Sequence, residues 1–222
     1  HRFTIVLSRL RQLFKQLGLQ FEKYVETTRD WVLFAPERPF TFDRNQFVAQ
    51  SLAGLKTEDL PTRELLLKQA LRLYRAELFE GIYAQWCLTE REYLARLRLR
   101  VLGQLMYCCL QQDTFAEAIE FGHLILQEEP LREETHRALM HCYQQQNRPD
   151  LAAHQYFACQ ALLESELQTQ PLPETTQLFT EIMVQRAQSS LTSESVSPAQ
   201  QENIQKAYNN FLAAARQLAQ SF

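Results

Sequence analysis

The sequence predicts a mainly α-helical protein built in part from tandem helix pairs, and two observations carry that expectation. Glycine is scarce, five in 222 residues, while Leu, Gln, Glu, Arg and Ala recur at three- and four-residue spacings through most of the chain, the period of an amphipathic helix. The chain also matches itself after a shift of 34 residues: Leu105 falls on Leu139, Met106 on Met140, Cys108 on Cys142, Gln111 on Gln145, Gln112 on Gln146 and Ala118 on Ala152, with Asp113 against Asn147. That is the period of the tetratricopeptide repeat, two antiparallel helices in which a small residue lets the second approach the first. Ala118 and Ala152 stand where that residue belongs, and Pro130 closes the first repeat where Glu164 stands in the second.

The opening stretch "TIVLSRLRQLFKQL", residues 4–17, reads as a helix ending at Gly18, a C-cap residue. At about 100° per residue Phe3, Val6, Leu7, Leu10, Leu13, Phe14 and Leu17 share an arc of about 120°, a core-facing stripe. Opposite them Thr4, Ser8, Arg11 and Lys15 line one ridge, with Arg2 and Arg9 on the next, and no Asp or Glu occurs before Glu22. Arginines that can pair bidentately with guanine, hydroxyls that reach bases or phosphates, and a lysine for phosphate suit the DNA major groove. A solvated helix face would carry the same residues. The next run, "FEKYVETTRDWVLFAP", clusters aromatic and β-branched residues on both sides of a polar turn and is closed by Pro36, which predicts a short hairpin. A basic helix followed by a hairpin carrying Lys23 and Arg29 is the second half of a winged helix, whose wing places a cation in the adjoining minor groove.

From Pro61 onward helical punctuation is regular. "TRELLLKQALRLYRAELFEG" predicts one amphipathic helix ending before Gly81, and "TERE" at Thr89–Glu92 is a capping box opening a long helix toward Gln112. Two helix pairs follow, and helices over 62–100 and 174–186 complete their core. After Arg186 the serine-rich "AQSSLTSESVS" reads as a solvated linker. A last helix begins at Ser197 and Pro198, with Ile204, Tyr208, Phe211, Ala215 and Leu218 on one stripe that needs a partner. The predicted domains are 1–47, a partial winged helix; 48–186, the helical repeats; and 187–222, linker and amphipathic helix.

A net charge of −3 gives no global pull toward nucleic acid or anionic lipid, so a nucleic-acid site must be a local patch. Cys87, Cys108, Cys109, Cys142 and Cys159 are odd in number, lack CxxC spacing and fall in apolar helical patterns, which reads as reduced core thiols of a cytoplasmic protein. No stretch is long and apolar enough to span a membrane or to form a signal-peptide core. The chain starts at His1 and not at Met, so a native N-terminus is expected ahead of it.

"LSRLRQLF" with "VETTRDWVLFAPERPFTFDRNQF" resembles the recognition helix and wing of the Streptomyces antibiotic regulatory protein family, itself similar to the winged helix of response regulators. The stretch from "LRLYRAELFEGIYAQWCLTEREYLARLRLRV" through "PLREETHRALM" to "PLPETTQLFTEI" resembles the bacterial transcriptional activator domain that follows it. Residues 3 to about 186 are covered. The resemblance implies a sequence-specific DNA-binding transcriptional activator whose helical domain supports dimerisation and contact with transcription partners. It implies double-stranded DNA, RNA polymerase or other transcription proteins, and a homodimeric second copy as partners. Thr4, Ser8, Arg9 and Arg11 match recognition-helix positions, and Thr28 with Arg29 the wing; Arg2 and Lys15 join them on the ridges described above. The family's wing often sets glycines beside an aromatic where this chain reads "TTRDW", and the first sheet and first two helices of a winged helix would precede His1.

No GxGxxG or GxxxxGK[ST] motif occurs, and His123, His136, His141 and His154 lack the HExxH spacing. No cofactor, metal or catalytic residue is expected. Glu128, Glu129, Glu133 and Glu134 read as a solvated helix end. The rival reading is a pure tetratricopeptide interaction scaffold, with Trp31 and Trp86 either anchoring a partner or buried in the core.

Overall fold

The computed structural model describes residues 2–28, 31–34 and 41–193. Its elements are α1 (Arg2–Gln16), a single 3₁₀ turn (Phe21–Lys23), β1 (Val25–Thr27), β2 (Val32–Phe34) and seven further helices: α2 (Asp43–Lys56), α3 (Leu60–Leu73), α4 (Gln85–Gln111), α5 (Phe115–Glu128), α6 (Glu133–Gln145), α7 (Pro149–Leu167) and α8 (Pro173–Ser193). The fold is mainly helical, a tandem helical repeat preceded by one helix and a hairpin. The predicted C-terminal helix and the last four residues of the serine run, 194–197, lie outside the described residues.

α1 stops where expected. Gly18 adopts φ +69°, its N–H donates to the Lys15 carbonyl and the Leu19 N–H to that of Phe14, the paired bonds of a Schellman cap. Phe14 then meets Phe21 edge-on at 5.4 Å and Tyr24 at 5.6 Å. Phe21 and Val25 are buried, so helix, 3₁₀ turn and first strand share a small aromatic core. β1 and β2 pair antiparallel, Val25 with Phe34 and Thr27 with Val32.

The repeats form as antiparallel pairs, α2 with α3, α4 with α5 and α6 with α7, and α8 packs against α6 and α7. Leu105, Cys108 and Ala118 are fully buried, as are their 34-residue equivalents Leu139, Cys142 and Ala152. Asp113 and Asn147 both take positive φ, 55° and 57°, and the residue after each donates back to a carbonyl five positions earlier, Thr114 to Cys109 and Arg148 to Tyr143. The two copies thus share a turn as well as a core.

At four places the chain departs from expectation. α3 ends at Leu73 and does not run on toward Gly81. Tyr74 packs on Phe47 at 5.3 Å and under the Arg98 guanidinium at 5.3 Å, and Arg91 Nε donates to the Leu78 carbonyl at 2.6 Å. These long-range contacts hold 74–84 as a loop against its helical propensity. α4 begins at Gln85, so Thr89 is no cap but an interior residue whose hydroxyl donates to the Gln85 carbonyl. α8 runs to Ser193, through the start of the expected linker: serine costs a helix only a few tenths of a kcal/mol per residue, propagation is cooperative, and no Pro or Gly intervenes before Pro198. α2 also runs through the 47/48 boundary.

Candidate nucleic-acid interface

The ridge read from the sequence is open to solvent. Thr4, Ser8, Arg9, Arg11 and Lys15 are all exposed on α1, and among the described residues none of the three cations is ion-paired with a carboxylate. The side chain of Arg2 and the whole of Arg29 lie outside the described residues. Four of these positions, Thr4, Ser8, Arg11 and Lys15, are spaced by three and four residues and so share one face.

Two of the predicted residues also have work inside the fold. Arg11 holds its guanidinium 4.9 Å from the centroid of Phe21, a cation–π contact that restricts its rotamers beside the 3₁₀ turn. The Thr28 hydroxyl accepts from the Trp31 N–H at 3.2 Å, and the Thr28 N–H donates to the Trp31 carbonyl at 2.9 Å. Thr28 therefore closes the hairpin tip. The i to i+3 spacing could have suggested the turn, whereas the Arg11 contact has no signal in sequence.

The apolar stripe of α1 is only partly covered. Leu7, Leu10 and Phe14 are half-buried, but Val6, Leu13 and Leu17 are 61%, 52% and 63% exposed. The stripe thus has room for further packing elements. Trp31 and Trp86, at 49% and 60% exposure, are not core residues.

Elsewhere several polar groups have partners within the fold, although Gln50 Oε1 and Ser51 Oγ are buried without a hydrogen bond. His136, 2% exposed, has Nε2 2.9 Å from the Pro130 carbonyl and Nδ1 2.6 Å from the Gln155 amide, tying the α5–α6 turn to α7. Glu133 accepts from the Leu172 N–H at 2.7 Å, and Glu128 and Glu129 pair with Arg98 and Arg132. Three of the four acidic residues at this helix end thus have partners, and Glu128, Glu129 and Glu134 are exposed to solvent. Among the described residues no group of three His, Cys, Asp or Glu side chains could hold a metal ion, and no helix is long and apolar enough to cross a membrane.

Residues 41–183 match the family described as the bacterial transcriptional activator domain. Among solved structures, Mycobacterium tuberculosis EmbR in complex with a low-affinity phosphopeptide is similar, with a TM-score of 0.56 and 19% identity over 83% of this chain and 50% of the EmbR chain. At that identity the likeness concerns the fold, and this chain spans half the length of that protein. Among curated proteins none matches this chain.

Proposed function

We propose, on the premise that this chain belongs to the bacterial transcriptional activator domain family, that it regulates transcription by reading promoter DNA with α1 while its helical repeats hold protein partners. The family is regulatory and not catalytic, and the chain is not an enzyme. One observation carries the DNA reading: an exposed cationic, hydroxyl-bearing ridge without carboxylate partners among the described residues, followed by a 3₁₀ turn packed on the same helix that leads into a hairpin. Arg9 and Arg11 are the base-reading residues, with Thr4 and Ser8 beside them; Arg2 and Lys15 contact phosphate, and Thr28 and Arg29 sit at the wing. The division into a partial winged helix, a repeat domain and a C-terminal segment follows, with its first boundary drawn ahead of α2. The repeats carry dimerisation and contact with RNA polymerase or other transcription proteins. Five buried, unpaired thiols support a reducing, cytoplasmic setting.

The test is fluorescence anisotropy across a salt series, on the full-length protein, with its own promoter and a scrambled duplex. A preference near 10³-fold is the expected result. Arg9→Ala should cost about 1–3 kcal/mol on the promoter and little on scrambled DNA, whereas Lys15→Ala should weaken both alike and flatten the salt slope by about one. Equal losses on both duplexes for Arg9→Ala would remove it from base reading. Absence of any preference would leave the repeats as the working surface.

A further inference from the structure

Along α4 the exposed side chains recur every seven residues, Trp86, Tyr93, Arg100 and Tyr107, with Thr89, Arg96 and Gly103 three positions further on in each interval. Trp86 is 60%, Tyr93 38% and Tyr107 48% exposed, and Arg96 and Arg100 are exposed as well. Leu94, Leu97, Val101, Leu105 and Cys108, on the other side, are buried in the core. Seven residues fall about 20° short of two full turns, so the stripe stays nearly in line for about 31 Å. A solvent-facing seam of this period suits a second helix, and Trp, Tyr and Arg are the types that dominate binding energy at interfaces.

Gly103 lies at the edge of this stripe, between Arg100 and Tyr107. A Cβ there would meet nothing nearer than Arg132 Nη2 at 4.0 Å, whereas at the helical glycines Gly54 and Gly122 it would strike Leu67 and Leu139 at 2.7 Å. Those two glycines are required by packing from within. Gly103 weakens the helix without such a return, and the room it leaves opens on the exposed face. Charge narrows what fits there. Arg96 has Glu92 at 3.5 Å and Arg132 has Glu129 at 3.1 Å, but Arg100 has no carboxylate partner among the described residues. Two copies of this face packed together would set four arginines, Arg96 and Arg100 of each, against one another.

We propose that this face of α4 binds an acidic amphipathic helix of a partner protein, which crosses α4 at Gly103, places a carboxylate on Arg100 and packs apolar side chains among Trp86, Tyr93 and Tyr107. The proposal rests on the reading of the repeats as a partner-binding domain and is independent of DNA reading by α1. It is tested with a phage-displayed library of helical peptides about three heptads long, panned on the full chain and counter-selected on the Arg100→Glu variant. The expected result is enrichment of acidic sequences with apolar residues on one face. A synthetic copy should lose at least about tenfold in affinity with Arg100→Glu and with Gly103→Leu, at unchanged melting temperature, and a lysine-substituted copy should recover binding to Arg100→Glu. Enrichment of neutral or basic peptides, or binding indifferent to both substitutions, overturns this face while leaving the repeats as a partner domain. No enrichment at all likewise overturns this face as a helix-binding site. A concentration-dependent doubling of mass in sedimentation, abolished by Arg100→Glu, would assign the face to a second copy, and displacement of the peptide by duplex DNA would assign it to nucleic acid; either overturns the proposal.

Discussion

At Gly122 a Cβ would stand 2.7 Å from Leu139 Cδ2, 3.0 Å from its Cγ and 3.1 Å from Met106 Cε, all within the buried core. Leu139 is fully buried, so neither it nor the backbone can yield without loss elsewhere. Gly122→Ala should therefore destabilise the chain by about 1–3 kcal/mol in urea unfolding, whereas Gly103→Ala should be neutral or stabilise by up to about 1 kcal/mol. Equal effects would mean that the two sites are packed alike. The thiols give a second prediction of this kind. Burial pushes Cys142 up to about 11, helped by neighbouring Cys109, and burial does the same for Cys159. Because the folded thiol holds its proton more tightly than the unfolded one, the stability it contributes is complete below about pH 9 and is lost as pH rises through about 11, up to roughly 2–3 kcal/mol per thiol. Unfolding measured between about pH 8 and pH 11 should show this decline, and Cys142→Ala, though less stable at neutral pH, should show a shallower one. An unchanged slope in that variant would place the titration elsewhere.

Asn147 ends α6 at φ 57°, where a β-branched residue is strained and glycine is not. Asn147→Val should cost about 1–2 kcal/mol and Asn147→Gly should be neutral or slightly stabilising, read from urea midpoints; a tolerated valine would show that the turn can be rebuilt. Asp113, its equivalent one repeat earlier, should behave alike. Such turns explain what was legible in the sequence. A 34-residue period with an Asp or Asn at the same place announces a helix pair because the cap, the small residue and the core positions are all local in each copy. The hairpin was legible for the same reason, its polar turn lying between two short β-branched and aromatic runs. The ends of α3 and the start of α4 were not, because Tyr74 answers to Phe47 and Arg98, and the 78–79 carbonyls to Arg91. Those partners are 12 to 27 residues away, and periodicity cannot report them. The candidate site divides similarly: the α1 ridge follows from spacing alone, while the stacking of Arg11 on Phe21 and the open space at Gly103 depend on neighbours that only the fold supplies.

For the molecule as a whole, the distribution of contacts sets how its parts should unfold. α1, the 3₁₀ turn and the hairpin pack chiefly on one another, around Phe14, Phe21, Tyr24 and Val25, and toward α2 the structure gives a ring approach of Phe34 to Phe42 at 6.3 Å. In the repeats Leu102, Met106, Ala118, Leu139, Tyr156 and Ile182 join α4 through α8, Leu67 of α3 packs on Val101 and Leu105 of α4 with Leu55 of α2 against them, and Leu71 and Phe121 lie against both clusters. A stacked repeat array is held by neighbour-to-neighbour interfaces, so the unit that unfolds together should be α2 to α8. The chain begun at residue 41 is therefore expected to keep the urea midpoint of the full chain to within about 0.5 kcal/mol, since little packing is removed with the first elements. Cutting instead after Leu167 removes α8, with Ile182, the stacking of Phe179 on Tyr156 at 4.2 Å and the Arg137–Thr175 hydrogen bond. That truncation should cost several kcal/mol, as an uncapped repeat exposes its core face. If the first cut proves as damaging as the second, the N-terminal elements are part of the same cooperative unit, and a substitution in α1 that alters DNA binding would have to be separated from one that loosens the repeats.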